Sequence, residues 1–188
     1  MASAVVVRDE EPHDRQAVLD VIGAAFGEEP EVVGLWDELR DIPGTQSLVA
    51  VDDDEVVGHV GLTPAWVDAP DRVVEVLVLS PLSVRPERQR VGIGRALVAA
   101  ALARGEELGS PAVFLEGDPA YYARLGFLPA REHGFTPPSE RIPGAAFQVV
   151  LLAAYDTSVA GALVYPDVFW RHDAVGLRGE LLERYLAR

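Results

Sequence analysis

The stretch Val84-Arg85-Pro86-Glu87-Arg88-Gln89-Arg90-Val91-Gly92-Ile93-Gly94-Arg95 decides the fold. It joins the Val- and Leu-rich segment Arg72–Val84 to an apolar repeat of helical spacing over Gly92–Leu108, so it predicts a strand-to-helix turn. Its glycines let the backbone approach a ligand, and the amides at a helix N-terminus bind pyrophosphate. A tight turn can also need glycine for steric reasons, so the rest of the chain must decide between the two interpretations.

A second motif, Tyr122-Ala123-Arg124-Leu125-Gly126-Phe127, follows the next predicted strand. Its short helix, predicted over Pro119–Leu125, ends in glycine, and its phenylalanine opens another strand. A dinucleotide fingerprint would need a third glycine where Leu97 stands and would follow the first strand of a βαβ unit. The turn before Gly92 follows the fourth predicted strand, which argues against a dinucleotide fingerprint. The specific signal is therefore the pairing of the two motifs.

The remaining patterns predict a mixed α/β protein. Their order, β-α-α-β-β-β-α-β-α-β-β, favours a mixed, mostly antiparallel central sheet with helices on both faces. No repeat or linker divides the chain, so we expect a single domain over residues 1–188, with a core over about 4–154 and a C-terminal extension over about 155–188. The other predicted strands are Val5–Val7, Ser47–Val51, Val56–Ala65, Ala112–Leu115, Phe127–Pro129 and Phe147–Ala153, and the other predicted helices are 12–27, Glu31–Leu39 and Leu181–Leu186.

Composition excludes several kinds of chemistry. The chain of 188 residues has no cysteine and no lysine, which removes thiolate nucleophiles, thiolate metal sites, P-loop lysines and lysine Schiff bases. The net charge of −14 disfavours nucleic acid and mildly favours a cationic substrate. We expect a cytoplasmic protein with no membrane partner, since neither a signal peptide nor a membrane span is apparent. The four histidines are isolated, so we expect no metal.

The two motifs resemble those of the GCN5-related N-acetyltransferases (GNAT). Gln89-Arg90-Val91-Gly92-Ile93-Gly94 matches that family's Q/R-x-x-G-x-G/A pyrophosphate motif, and Tyr122-x-x-x-Gly126-Phe127 matches its second signature. The similarity runs from Val5 to about Ala153. It implies acetyl-CoA as cosubstrate and the acyl-CoA N-acyltransferase fold, in which the fourth and fifth strands splay apart.

Three further segments are similar to the bacterial YhbS-like branch of predicted acetyltransferases. These are Ser80-Pro81-Leu82-Ser83-Val84, Gly117-Asp118-Pro119-Ala120-Tyr121-Tyr122 and a tail over 161–169 that contains Tyr165-Pro166. The resemblance implies that pantetheine lies like an added strand along the backbone of Leu82, Ser83 and Val84. We expect Pro81 to interrupt the regular pairing of the fourth strand there.

The resemblance also implies which groups hold the pyrophosphate. Positive charge would come from Arg88, Arg90 and Arg95. The cradle would be the backbone amides of Gln89, Arg90, Val91, Gly92, Ile93, Gly94 and Arg95.

Acetyl transfer from a thioester to an amine needs a neutral nucleophile, a stabilised oxyanion and a proton for the thiolate. By the family pattern Tyr122 donates that proton, and the backbone N–H of Val84 is the expected oxyanion donor. Many family members carry a glutamate base where Ser80 stands, and serine cannot replace it unaided. The base is left open between His59, Glu116 and a water held by either.

A second departure from the family pattern concerns the Tyr122 helix. The usual preceding asparagine is missing, Asp118 stands nearer, and the helix is about one turn shorter. The leading interpretation is nevertheless an acetyl-CoA-dependent N-acetyltransferase acting on a primary amine of a small molecule or peptide by direct attack in a ternary complex. The alternative is a catalytically silent acyl-CoA sensor or interaction module. A third, weaker interpretation is an acyltransferase that uses a longer acyl-CoA or a hydroxyl acceptor.

The sequence carries no code for the acceptor, the acyl chain or the oligomeric state. The tail residues Tyr165, Phe169 and Trp170 would form a costly exposed patch, so we expect the tail to pack against the core or a partner subunit. A homodimer is therefore an open possibility.

Overall fold

The computed structural model describes residues 5–27, 30–180 and 183. The helix expected over Leu181–Leu186 therefore lies outside the described residues, apart from Glu183. The chain separates into two compact units, the first formed by Met1–Thr63 with Leu79–Arg104 and the second by Pro64–Val78 with Gly105–Arg188. The single domain over residues 1–188 remains a prediction.

Nine strands and five α-helices lie within the described residues, in the order that the sequence predicts with three additions. The additions are β7, β9 and α5. In chain order the elements are β1 Val6–Asp9, α1 Arg15–Phe26, α2 Pro30–Leu39, β2 Gln46–Asp52, β3 Glu55–Asp68, β4 Val73–Val84, α3 Ile93–Glu107, β5 Ala112–Glu116, α4 Pro119–Tyr122, β6 Leu128–Pro129, β7 Phe135–Thr136, β8 Phe147–Leu151, β9 Gly161–Val164 and α5 Asp167–Arg171.

The strands pair as a mixed, mostly antiparallel sheet, which confirms the predicted fold class. Their order is β1-β2-β3-β4-β5-β8-β6, with β9 pairing with β3 and β7 off this path. Pairing is parallel between β4 and β5, where the ladder comprises Leu77↔Val113 and Val78↔Phe114, and between β7 and β9. The expected splaying of β4 and β5 beyond that ladder remains a prediction.

In the first unit, helices cover both faces of the sheet. Gly58 and Gly61 stand on opposite faces of β3, because successive side chains of a strand alternate. A Cβ at Gly58 would meet Leu97 of α3, and one at Gly61 would overlap the ring of Trp36 of α2. Small residues on β3 thus let a helix lie close on each side.

The fourth strand, Val73–Val84, agrees with the strand expected over Arg72–Val84. β4 continues through Pro81, and its stretch Val76–Leu79 is buried, as predicted for a central strand. The strand runs on past Pro81 to Val84 and delivers the chain to the turn before α3, and the expected interruption of regular pairing at Pro81 stays a prediction.

The second unit has an aromatic core around β5. The ring of Phe114 stacks on Phe147 of β8 at 5.8 Å and meets Phe135 of β7 edge-on at 4.8 Å. β9, which periodicity missed, pairs antiparallel with the end of β3 through Val67↔Leu163 and its neighbours. β9 has only four residues and begins with glycine, so it is too short for the period-2 alternation of a strand to be recognised.

The C-terminal tail packs inside the second unit. Packing against the core is one of the two arrangements that the sequence predicts. Tyr165 and Phe169 are buried, their rings 4.7 Å apart, while Trp170 stays 46% exposed. Among the residues that the structure describes, no helix is long and apolar enough to cross a membrane.

Candidate cofactor and acid–base sites

The predicted phosphate loop lies in the first unit, between β4 and α3. A 3₁₀ turn over Pro86–Arg88 is followed by Arg90 at φ 65° and Gly92 at φ 97°. A Cβ at Gly92 would meet nothing within 4 Å. Glycine is therefore favoured there by its backbone conformation, and the space beside its Cα is open to a ligand.

The amides of this loop are unused by the backbone. The first bond of α3 runs from the Ala96 N–H to the Gly92 carbonyl at 3.0 Å. Within the described part of the chain, no backbone carbonyl accepts from the amides of Arg90 to Arg95. Gln89 differs, because its N–H donates to the Pro86 carbonyl at 3.3 Å. Six successive free amides at the N-terminus of a 15-residue helix form an anion-binding cradle.

The arginines around the cradle have different partners. Arg88 is ion-paired with Asp52, and Arg85 reaches Glu55 at 3.3 Å. Arg90 and Arg95 are exposed, and neither forms an ion pair with any residue that the structure describes. The cations available to a phosphate are thus Arg90 and Arg95, whereas the charge of Arg88 is already balanced.

One edge of β4 presents backbone groups from Val84. The Arg85 N–H donates to the Val57 carbonyl of β3 at 3.0 Å, and neighbouring residues of a strand present their polar groups to opposite edges. The N–H of Val84 therefore faces away from β3. Its carbonyl accepts from the Gln89 Nε2 at 3.1 Å, so Gln89 braces the strand end rather than lending its own amide.

Leu82 shares that edge by the same alternation, while Ser83 points the other way along the backbone. The Ser83 hydroxyl is buried and has no hydrogen-bond partner among the described residues. All ten predicted cofactor-binding residues thus lie together on the end of β4 and the turn into α3.

Tyr122 lies in the second unit, at the end of α4. Asp118 caps this helix by accepting from the Ala120 N–H at 2.8 Å. The Tyr122 ring lies on Gly117, where a Cβ would overlap it, and meets Phe127 edge-on at 5.6 Å. Burial raises the pKa of the Tyr122 phenol above its usual 10, so the phenol is protonated at neutral pH. A proton donor requires that state.

Glu116 is the last residue of β5, directly before Gly117. Its Oε2 accepts from the Gly176 N–H at 3.1 Å, and its carboxylate also accepts from the Tyr165 hydroxyl. Burial raises the pKa of Glu116 to about 7, against the opposing effects of Tyr165, the Gly176 amide and Arg141. A carboxyl of this pKa can exchange a proton near neutral pH.

His59, the other open candidate for the base, is in the first unit and fully buried under Trp36, their ring centroids 4.5 Å apart. Its Nε2 lies 3.0 Å from the Ser47 Oγ, whose hydroxyl donates to Glu10. Burial and the charge of Arg40 lower the pKa of His59 to about 3. His59 is therefore neutral at physiological pH and a weak base.

Sequence reasoning named Glu116 and His59 but missed the groups that distinguish them. The pattern of the tail predicts only that Tyr165 needs burial, and it assigns no role to Gly176. Both approach Glu116 from the tail, a contact across distant parts of the chain that no local pattern reports. In the described ranges, no group of three His, Asp or Glu side chains could hold a metal ion.

The fold, the free amides and the paired motifs together define a GNAT protein. A family model described as an acetyltransferase (GNAT) domain matches residues 6–130, and the chain belongs to this family. This confirms the resemblance drawn from the two motifs.

Relatives cover nearly the whole chain. It is 34% identical over 171 residues to the uncharacterized N-acetyltransferase YhbS of Escherichia coli K12, covering 89% of this chain and 99% of that one. The crystal structure of E. coli YhbS in complex with CoA superposes with a TM-score of 0.80 at 29% identity, covering 91% and 94% of the two chains. A GNAT acetyltransferase from Brucella melitensis in complex with acetyl-CoA gives 0.71 at 28% identity, covering 89% and 99%.

Proposed function

We propose that this protein is an acetyl-CoA-dependent N-acetyltransferase that acts on a primary amine of a small molecule or peptide. The observation that carries the proposal is the run of six amides, Arg90 to Arg95, which have no backbone acceptor in the described chain and open a long helix. A pyrophosphate supplies the acceptors that these amides lack. Two similar proteins were crystallised with CoA and with acetyl-CoA, which supports the choice of ligand.

The first unit supplies the cofactor-binding groups in this proposal. The amides of Arg90 to Arg95 hold the pyrophosphate, and the side chains of Arg90 and Arg95 add charge. The edge of β4 at Leu82 and Val84 hydrogen-bonds to pantetheine, and the Val84 N–H stabilises the oxyanion. Gln89 keeps Val84 in position through its side-chain bond to the carbonyl.

The chemistry is direct attack of the amine on the thioester within a ternary complex. The chain contains no cysteine to form an acyl-enzyme. The amine nitrogen bonds to the carbonyl carbon, the carbon–sulfur bond breaks, and Tyr122 protonates the departing thiolate. We propose that the reaction takes place in the cytoplasm, with no metal ion.

The cofactor assignment is tested by Gly92→Val and Gly94→Val. Each should abolish acetyl-CoA binding in calorimetry, because a side chain would occupy the space that the pyrophosphate needs. The matched control is Gly109→Val, since Gly109 also has a positive φ, 69°, and also has no atom within 4 Å of its Cβ position. Unchanged affinity in both folded loop variants would refute the assignment.

Activity is tested by thiol release from acetyl-CoA against a panel of primary amines. Tyr122→Phe should lower kcat by up to about 10²–10⁴-fold, with acetyl-CoA affinity nearly unchanged because the ring remains. Tyr121→Phe is the control, since that neighbour is 40% exposed and packs edge-on against Tyr122 at 4.9 Å. A protein that binds acetyl-CoA but releases thiol with no amine would be the silent sensor instead.

A further inference from the structure

The end of β5 carries a carboxylate for which the cofactor-binding groups have no use. Glu116 is partly exposed, so a ligand can reach it, yet it is enclosed well enough for its charge to be costly. The next residue, Gly117, supports the ring of Tyr122. The acid assigned above and this carboxylate therefore share one strand end.

The carboxylate is held by groups from the C-terminal tail. The Gly176 N–H donates to Oε2 at 3.1 Å, and the buried Tyr165 donates its hydroxyl. Gly176 has φ 71°, and a Cβ there would lie 2.5 Å from the carbonyl carbon of Arg141. The Leu177 N–H also donates to the Arg141 carbonyl, at 3.0 Å. The tail is thus locked onto the loop that carries Arg141, and its amide is fixed on Glu116.

The charges around Glu116 leave room for a cation. Arg141 lowers the pKa of Glu116 through its charge, and its guanidinium lies 3.4 Å from Asp173, which also pairs with Arg178. No ion pair neutralises Glu116 within the residues described. Both of its fixed partners, a phenol and an amide, are neutral donors, and a carboxylate has about four lone-pair positions.

We propose that Glu116 binds the ammonium form of the acceptor amine and takes its proton, and that Tyr165 and the Gly176 amide are the positioning groups that hold the carboxylate for this step. The inference rests on the proposed transferase function and adds the missing base to it. It also requires that the primary amine arrives as a cation.

One proton of the ammonium moves to Glu116, and the neutral amine then forms the bond to the carbonyl carbon. As the carbon–sulfur bond breaks, the thiolate takes a proton from Tyr122. The nitrogen of the new amide loses its second proton, which restores the phenol. Glu116 releases its own proton to solvent, so each turnover yields amide, thiol and one proton.

An NMR titration measures Glu116 directly and needs no known acceptor. Carbon-13 NMR of protein labelled at the glutamate Cδ should show one carboxyl that titrates near pH 7 and disappears in Glu116→Gln. Glu75→Gln, which removes an exposed carboxylate of β4, should leave that signal unchanged. A Glu116 signal that titrates at an ordinary carboxyl pH would overturn the inference whether or not the protein is a transferase.

Kinetics with acetyl-CoA and the best amine of the panel test the role. Glu116→Gln should lower kcat/KM by about 10²-fold or more while acetyl-CoA affinity stays unchanged. Wild-type activity retained in Glu116→Gln would overturn the inference and leave the transferase function intact. If wild-type protein releases no thiol from acetyl-CoA with any amine of the panel, both the transferase function and the role of Glu116 are refuted. The NMR titration would then report only a structural carboxyl.

Tyr165→Phe separates positioning from packing, because the variant keeps the ring and loses only the donor. Without that donor the ionised carboxylate is less stable, so the pKa of Glu116 rises and the acid limb of the kcat/KM profile moves to higher pH. The loss should be largest below pH 7 and should vanish at alkaline pH. An equal loss at every pH would show that Tyr165 is only structural.

Discussion

His59 and Glu116 are both candidates for the base from sequence, and burial has opposite effects on their pKa values. Burial disfavours the charged form of both groups, which lowers the pKa of an imidazole and raises that of a carboxyl. His59, fully buried and near Arg40, has a pKa of about 3, whereas Glu116 has a pKa of about 7. Only Glu116 can exchange protons near neutral pH.

The partners of the two groups reinforce this difference. Ser47 gives its single hydroxyl hydrogen to Glu10, so it must accept from the Nε2–H of His59, which leaves Nδ1 as a bare acceptor. That Nδ1 is buried and has no partner in the described structure. His59 thus belongs to a closed structural network, while Glu116 keeps partial access to solvent. The two carry opposite expectations for stability against pH.

The largest expected effect concerns His59. Its folded-state pKa, about 3, lies below the ordinary 6.5, so the unfolded chain binds the extra proton and stability falls as pH drops from 6.5 towards 3. The cost is about 5 kcal/mol over that window and about 3 kcal/mol by pH 4.5. Urea unfolding should show that wild-type protein loses about 3 kcal/mol of unfolding free energy relative to His59→Gln between pH 7 and 4.5. Parallel pH profiles would place His59 in a more solvated site.

The next effect has the opposite sign and concerns Glu116. Its folded-state pKa is raised from 4.5 to about 7, so the folded chain binds the extra proton and stability is lost as pH rises through this range. Glu116→Gln removes that loss. The variant should therefore gain stability relative to wild type from pH 4.5 to 7, by at most about 3 kcal/mol. Glu75→Gln should show a flat difference, and a flat difference for Glu116→Gln as well would contradict the buried carboxylate.

The smallest effect compares two serines whose hydroxyls each donate to a carboxylate. Ser47 bonds to Glu10 inside the His59 network, and Ser158 bonds to Asp156 on the surface. Ser47→Ala should cost about 1–3 kcal/mol, because Glu10 and His59 lose a partner away from water. Ser158→Ala should stay within about 0.5 kcal/mol. Equal losses in thermal denaturation would mean that the His59 network is open to water.

The loop between β4 and α3, where we propose that the pyrophosphate binds, was the most predictable part of the molecule. Its geometry is local: two glycines, a strand before them and a helix after them place the free amides of Arg90 to Arg95 without help from distant residues. The sequence could not show that Arg88 is already ion-paired or that the Gln89 amide already has a backbone acceptor. One depends on Asp52 of β2, and the other on the exact 3₁₀ turn over Pro86–Arg88.

By itself, the sequence determined the fold class, the order of the main elements, the family and the loop, since hydrophobic period and turn glycines act over a few residues. Only the tertiary structure distinguished Glu116 from His59 in pKa. A pKa depends on how much water remains and on which charges lie near, and the deciding groups, Tyr165, Gly176 and Arg40, are distant in sequence. Long-range packing brings those groups together, and no spacing along the chain encodes it.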